Sequence, residues 1–325
     1  ILFSKTKFAF FNNIFFRSCK MKSGKVLVVC LNPTFELTVV LDSFYENEVN
    51  RTANYFTLPS GKGVNVARVL TQLGTEAHVL THLGGSRADE FLDLCKAENI
   101  ILESFPSTSP VRTCINIVNG EKKTSTEIVQ EPLAVEKGAG KRAFDLFDSL
   151  IGQFDALVIT GTRAQGYEAD LYSRMTARAK ELGKLVVLDL KGEDLRRSLL
   201  FRPDVIKPNL SELVATVENG RVVFENENSD ALRETVYSVT KKIFEDYGTK
   251  SVISRGKFDT WVYDGNDFSA VPNKKVPVVN TIGCGDALTA GMMHSLLAGK
   301  SLSDAVRFGM DCALKNAQSI RLELR

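Results

Sequence analysis

From residue 25 onward, short and nearly continuous apolar runs alternate with longer stretches of helical periodicity. The runs at 26–31, 77–81, 156–160, 185–190, 205–207 and 251–254 mostly lack the in-out alternation of a half-solvated sheet. Such runs predict parallel strands covered on both faces. Apolar positions recur at intervals of three and four over 64–73, 88–98, 144–151, 169–182, 231–247, 286–297 and 303–317, which predicts helices. Gly74 and Gly248 follow two of them as C-terminal caps. The alternation predicts an α/β fold, a doubly wound and mostly parallel sheet flanked by helices.

Two stretches break this rhythm. Segments 36–41 and 50–58 read as paired strands, and so do 111–118 and 125–130, joined across the turn-like Asn119-Gly120. Together they predict a small separate sheet drawn from about 34–60 and 110–132. A small sheet beside an α/β crevice is a natural lid, and a lid keeps water out during group transfer. Its exposed edge offers a place for two protomers to pair as a homodimer. No internal repeat or low-complexity linker divides residues 21–325 further.

Composition adds limits. At 44% hydrophobic residues the chain can bury a substantial core, which excludes wholesale disorder. The 41 basic and 39 acidic residues are not evenly spread: Lys5, Lys7, Arg17 and Lys20 lie in the first twenty positions, which hold no acid. The remaining body therefore carries a formal charge of −2, and a nucleic-acid groove has no electrostatic support. Residues 1–20 are rich in Phe, are interrupted by Asn12 and Asn13, and end beside Met21 without a small-residue cleavage site. They read as an extension upstream of a start at Met21, outside the fold, with a targeting presequence as the alternative. No later stretch approaches the roughly 18 apolar residues of a membrane span. None of the six cysteines forms a C-x-x-C pair, so zinc and dithiol redox chemistry are not signalled and a reducing cytoplasm is expected. His78 and His82 share one face of a predicted strand and read as partly buried strand residues, not a metal pair.

Three short patterns carry candidate chemistry. In Asn280-Thr281-Ile282-Gly283-Cys284-Gly285-Asp286, two glycines precede a helix, so backbone N–H groups and the positive helix end can converge on an oxyanion. Asp286, in the first turn, can accept a hydroxyl proton. The same pattern also serves a plain helix start. Ser60-Gly61-Lys62-Gly63-Val64-Asn65 presents a lysine at another helix N-terminus, suited to a phosphate, with Asn65 available to sugar hydroxyls. Its spacing is not that of a Walker A loop, and a glycine turn with a solvated lysine has the same letters. In Lys207-Pro208-Asn209-Leu210-Ser211-Glu212, Asn209 and Glu212 form a capping-box pattern; they can equally stand near a hydrated Mg²⁺, which prefers oxygen ligands.

The order and spacing of the three patterns resemble the ribokinase-like (PfkB) sugar kinase family. Gly283-Cys284-Gly285-Asp286 is similar to its G-A-G-D signature, residues 207–212 to its K-P-N-x-x-E motif and residues 60–65 to its G-G-K-G-x-N motif. Leu31-Asn32-Pro33-Thr34, Arg112-Thr113-Cys114-Ile115 and Thr126-Glu127-Ile128 resemble the 1-phosphofructokinase and tagatose-6-phosphate kinase branch. The resemblance implies ATP and Mg²⁺ as cofactors and a sugar phosphate as the other small-molecule partner. It implies Asp286 as base, with Gly283, Cys284 and Gly285 as the anion hole. Glu36, Gly61, Lys62, Asn65, Arg112 and Glu127 would hold the acceptor, Lys62 and Arg112 at its phosphate. Ser254, Gly256, Asn209 and Asn316 would hold the nucleotide, and Glu212 with Asn209 the magnesium, in part through water. The implied reaction is phosphorylation of a ketohexose phosphate, fructose 1-phosphate to the 1,6-bisphosphate. Tagatose 6-phosphate, fructose 6-phosphate and a non-catalytic sugar-phosphate sensor are the alternatives.

The chain departs from the family pattern at Glu36, where Asp is usual, at Ser60, where Gly is usual, and at Arg255 within the S-L-G segment. Arg163 and Lys191 also follow strand ends at positions usually uncharged, and are expected to add positive potential to the crevice.

Overall fold

The computed structural model describes residues 24–217 and 229–324; the extension at 1–20 lies outside the described residues. The chain enters through β1 (Lys25–Val29), departs into β2 (Thr34–Leu41) and β3 (Tyr55–Ser60), and returns through α1 (Lys62–Gln72), β4 (Glu76–Leu83) and α2 (Ala88–Ala97) to β5 (Ile101–Pro106). A second excursion, β6 (Arg112–Asn119) and β7 (Thr124–Val129), precedes α3 (Ala139–Ile151), β8 (Ala156–Thr160), α4 (Leu171–Glu181), β9 (Leu185–Asp189), α5 (Gly192–Leu199), β10 (Val205–Ile206) and α6 (Leu210–Val217). Then come α7 (Asp230–Tyr247), β11 (Lys250–Ile253), β12 (Thr260–Tyr263), β13 (Phe268–Val271), α8 (Cys284–Leu297) and α9 (Leu302–Ala317).

Among the described residues the main sheet has the order β13-β12-β11-β10-β9-β8-β1-β4-β5, parallel from β11 to β5. The continuous apolar run of β1 has a direct cause. Val26 and Val28 pack with Val66 and Leu70 of α1 and Met292 of α8, while Leu27 and Val29 pack with Phe147 of α3 and Met175 of α4. Both faces are covered, so neither alternates with polar residues. From β1 the chain winds one way to β4 and β5, and from β8 the other way to β11. The crevice of such a sheet opens beyond the strand carboxyl ends at this switch point, between β1 and β8.

The small sheet, β3-β2-β6-β7, is built from the two predicted segments, with β2 and β6 parallel and the outer pairs antiparallel. Pairing fixes which side chains share a face. Glu36 sits opposite Cys114 and Leu58, Thr34 opposite Arg112 and Ser60, and Asn116 opposite Glu127. Residues directly opposite, or two apart on one strand, share a face. Glu36, Arg112 and Glu127 are therefore on one polar face. Leu37, Val39, Ile115, Ile117 and Ile128 are on the other, which is apolar and part-exposed.

Several expectations need correction. Strands β5, β12 and β13 and helix α5 have no counterpart in the sequence reading. The strand expected at 50–58 begins only at Tyr55, because the Asn50 side chain folds the preceding loop back on Tyr45. Asn119-Gly120 is not a two-residue turn: β6 and β7 are separated by residues 120–123, with Lys123 at φ 51°. No helix among the described residues is long and apolar enough to cross a membrane.

Candidate active site

Helix α1 is brought down onto the end of β1 by glycine. A Cβ on Gly63 would lie 2.5 Å from the Cβ of Cys30, so no larger residue permits this approach. Gly61 precedes the helix at φ 111°, a conformation open to glycine, and its carbonyl accepts the Asn65 N–H at 3.0 Å. The stem of Lys62 lies along Gly161 at the end of β8. Its ammonium then reaches toward Glu212, with N···O 3.7 Å. The negative charge of Asp189, followed by those of Glu212 and Asp286, holds this lysine well above its ordinary pKa despite partial burial.

Asp189 ends β9 and is 3% exposed. It accepts from Thr160 at 3.3 Å and pairs with Lys207 at 3.4 Å. Burial pushes its carboxyl up, but the Lys207 and Lys62 charges outweigh that and leave it below the usual range. The parallel register explains the pair: Val187 lies beside Val205 and Leu188 beside Ile206, so the next residues, Asp189 and Lys207, leave their strands together. Sequence reasoning did not single out Asp189 as a site residue. The available signal was a lone charge closing each of two apolar strands.

Helix α8 starts at Gly283, in the left-handed region at φ 78°. Ala287 N–H closes the first turn onto Gly283 carbonyl at 2.8 Å. The Cys284 N–H turns back toward Thr281 carbonyl at 3.3 Å, which leaves Gly285 and Asp286 as the first-turn amides for an anion. The Cys284 N–H, expected in the anion hole, is thus engaged within the loop. A Cβ on Gly285 would meet nothing within 4 Å, so this turn faces open space. Asp286 is 6% exposed and accepts a hydrogen bond from Asn65 Nδ2 at 2.9 Å. Burial lifts its pKa to about 6, against the opposing pull of Lys62 and of the Asn65 hydrogen bond. A carboxyl with this pKa is ionised at neutral pH and basic enough to take a hydroxyl proton.

Asn209 and Glu212 form a reciprocal cap. Glu212 Oε2 accepts Asn209 N–H at 3.0 Å and Asn209 Oδ1 accepts Glu212 N–H at 2.8 Å. Glu212 Oε1 remains directed at Lys62. Among the described residues no three His, Cys, Asp or Glu side chains converge as a metal cage. A hydrated Mg²⁺ needs only one or two protein carboxylates beside substrate phosphates, and Glu212 Oε1 fits that requirement. The Asn209 carboxamide oxygen is engaged by the cap. Ser254 lies beside Asn209 through the Leu210 N–H to Ser254 carbonyl bond at 3.0 Å, so the expected nucleotide residues Asn209, Ser254 and Gly256 group at the ends of β10 and β11. Asn316 is 2% exposed, and its amide donates to Ile282 carbonyl at 2.8 Å and to Cys284 Sγ at 3.4 Å. It props the loop before α8.

On the small sheet, Arg112 donates to Gln130 carbonyl at 2.8 Å. Glu127 is lifted above its ordinary pKa by burial and by the Glu36 charge, with Arg112 opposing. These three residues share one electrostatic neighbourhood. Arg163 behaves otherwise than expected: Asp194 pairs with it at 3.0 Å and Tyr167 carbonyl accepts from it at 2.9 Å, so its charge is matched. Lys191 is exposed at the start of α5. Arg255 is buried and stacks on Trp261 at 3.9 Å.

A buried carboxylate, an open helix start and a lysine held among acids thus meet at the switch point of a doubly wound sheet. The chain belongs to the pfkB family of carbohydrate kinases, whose family model matches residues 27–322, and it is accordingly a sugar kinase, a phosphotransferase. Its architecture is similar to phosphofructokinase-2 from Escherichia coli in complex with fructose-6-phosphate (TM-score 0.78, 20% identity, 90% of this chain and 94% of that one). It is also similar to a possible 1-phosphofructokinase from Thermotoga maritima (TM-score 0.80, 21% identity, 93% of each chain). Ribokinase from Thermotoga maritima matches with a TM-score of 0.69 at 16% identity, over 92% of this chain and 94% of that one.

Proposed function

We propose that the chain transfers the γ-phosphoryl group of ATP to fructose 1-phosphate, giving fructose 1,6-bisphosphate and ADP. The observation that carries the reading is Asp286, with a pKa of about 6, beside Asn65 and Lys62 at an open helix N-terminus. The acceptor hydroxyl oxygen attacks the γ-phosphorus, its proton passes to Asp286, and the bond to the β-phosphate oxygen breaks with ADP as leaving group. Gly285 and Asp286 N–H groups face the phosphoryl oxygens. Arg112 on the polar face of the small sheet grips the acceptor's own phosphate, while Glu36 and the second Asn65 N–H hold its hydroxyls. Lys62, turned toward Asp189 and Glu212, lies on the side of the migrating group. Glu212 would hold Mg²⁺, which when bound neutralises charge on the nucleotide phosphates.

The choice of fructose 1-phosphate comes from the resemblance of residues 31–34 and 112–115, since relatives near 20% identity do not fix a substrate. A coupled ADP-release assay over a panel of sugar phosphates tests it. The highest kcat/KM is expected for fructose 1-phosphate. A preference for tagatose 6-phosphate or fructose 6-phosphate would replace the substrate. Binding without ADP release would make the chain a sensor.

We also propose that a second copy of the chain covers the apolar face of the small sheet, where Ile128 and Tyr55 are exposed. Phosphofructokinase-2 from Escherichia coli has a tetrameric inhibited form. Ile117→Glu is expected to convert a dimer to a monomer by light scattering. A wild-type monomer at micromolar concentration would refute this.

A further inference from the structure

Asn65 presents a carboxamide whose two ends differ chemically, and Asp286 requires one of them. Arg68, three residues along the same face of α1 and 5% exposed, donates Nη1–H to Asn65 Oδ1 at 2.7 Å. Its Nη2 meets the Pro59 carbonyl and its Nε the Glu98 carboxylate. A guanidinium only donates, so the Asn65 atom against it is the carbonyl oxygen. The Ser60 hydroxyl stands 3.2 Å from the same oxygen and 3.0 Å from Glu36 Oε2. With the carbonyl so held, Nδ2 is directed at Asp286 Oδ2. A flipped amide would set its oxygen against a carboxylate and its NH₂ against a cation.

We infer that Arg68 is a positioning residue for the base: it fixes the Asn65 carboxamide so that an N–H, and not the carbonyl, faces Asp286. The inference rests on the reading of Asp286 as the base. Several other groups face Asp286. Lys62 on α1 and Lys207 after β10 hold its proton affinity down, and Asp189 on β9 raises it. The thiols of Cys30 and Cys284 lie close and are neutral, pushed up chiefly by burial. Glu36 reaches the network through Ser60. The Arg68 lock adds a hydrogen bond to the charged form of Asp286, which favours ionisation.

The test is the pH dependence of kcat/KM for the full chain in the ADP-release assay. In the wild type the acid limb is expected near pH 6, where Asp286 loses its proton. Arg68→Lys keeps the charge but loses the planar fork that reaches three acceptors at once. Its acid limb is expected to move upward by about half a pH unit or more, with kcat about tenfold lower. A limb that superimposes on the wild type overturns the inference, whatever the fall in rate. Should Arg68→Lys show no cooperative thermal transition, Glu98→Gln, which loosens only the Nε anchor, decides instead. A smaller upward move supports the lock and an unmoved limb removes it. Failure of the underlying reading is separate: if Asp286→Asn turns over normally, the base assignment falls and this inference with it. If that variant is inactive while the Arg68 limbs are unmoved, the inference falls alone.

Discussion

Asp286→Asn is expected to lower kcat at least about 100-fold, and up to about 10⁴-fold, while ATP binding stays within a few-fold of the wild type. Asparagine has the same shape, so the left-handed Gly283 and the first turn of α8 are kept, and with them the Gly285 and Asp286-position amides. What is lost is the proton acceptor. The native carboxyl is suited to that task because burial brings its pKa to about 6 while Lys62 and Asn65 keep it from rising further. The substitution would therefore separate the two functions proposed for this turn, holding the phosphoryl group and taking a proton. The measurement pairs steady-state ADP release with calorimetric titration of ATP. Turnover close to wild type would refute the base assignment. Loss of ATP affinity together with turnover would show that the turn itself had been disturbed.

The layered core was legible because burial on both faces leaves a distinct trace: β1 and β8 have no polar interruption, as their two-sided packing requires. The small sheet was legible for the opposite reason, since β2 and β6 occur without the helices that parallel strands of the main sheet need. Edge elements were not legible. β5 has an almost wholly accessible pattern, and β12 and β13 are four residues each, with only Asp264-Gly265 between them as a hairpin signal. In the site, Lys62, Asn65, Glu212 and Asp286 were readable because each follows a glycine or proline punctuating a helix start. Asp189 and Arg68 were not, because what marks each is an ion pair formed only in the fold: Lys207 beside Asp189, and Glu98 beside Arg68. The partners of Asn316, which the resemblance set beside the nucleotide, were hidden for the same reason: its amide is engaged by the loop before α8.

Lys62→Met is expected to have the second large effect, and its form discriminates between two roles for the lysine. If Lys62 served only as a handle for the acceptor's own phosphate, its loss would raise KM and leave kcat intact, because that contact is equally good before and during transfer. Its surroundings point elsewhere. The ammonium lies 3.7 Å from Glu212 and interacts most strongly with Asp189, with Asp286 also within its field. A cation there meets charge that moves during the reaction, so kcat is expected to fall about 10²–10³-fold, as when one donor to a developing oxyanion is removed. A second signature follows from the sign of the coupling. Lys62 lowers the pKa of Asp286, so removing it raises that pKa above about 6 and moves the acid limb of kcat/KM to higher pH. The deficit should therefore be greater at pH 6 than at pH 8, where Asp286 is ionised in both proteins. A raised KM with kcat and the acid limb unchanged would return Lys62 to the acceptor's phosphate, and Arg112 would then share that role instead of holding it alone.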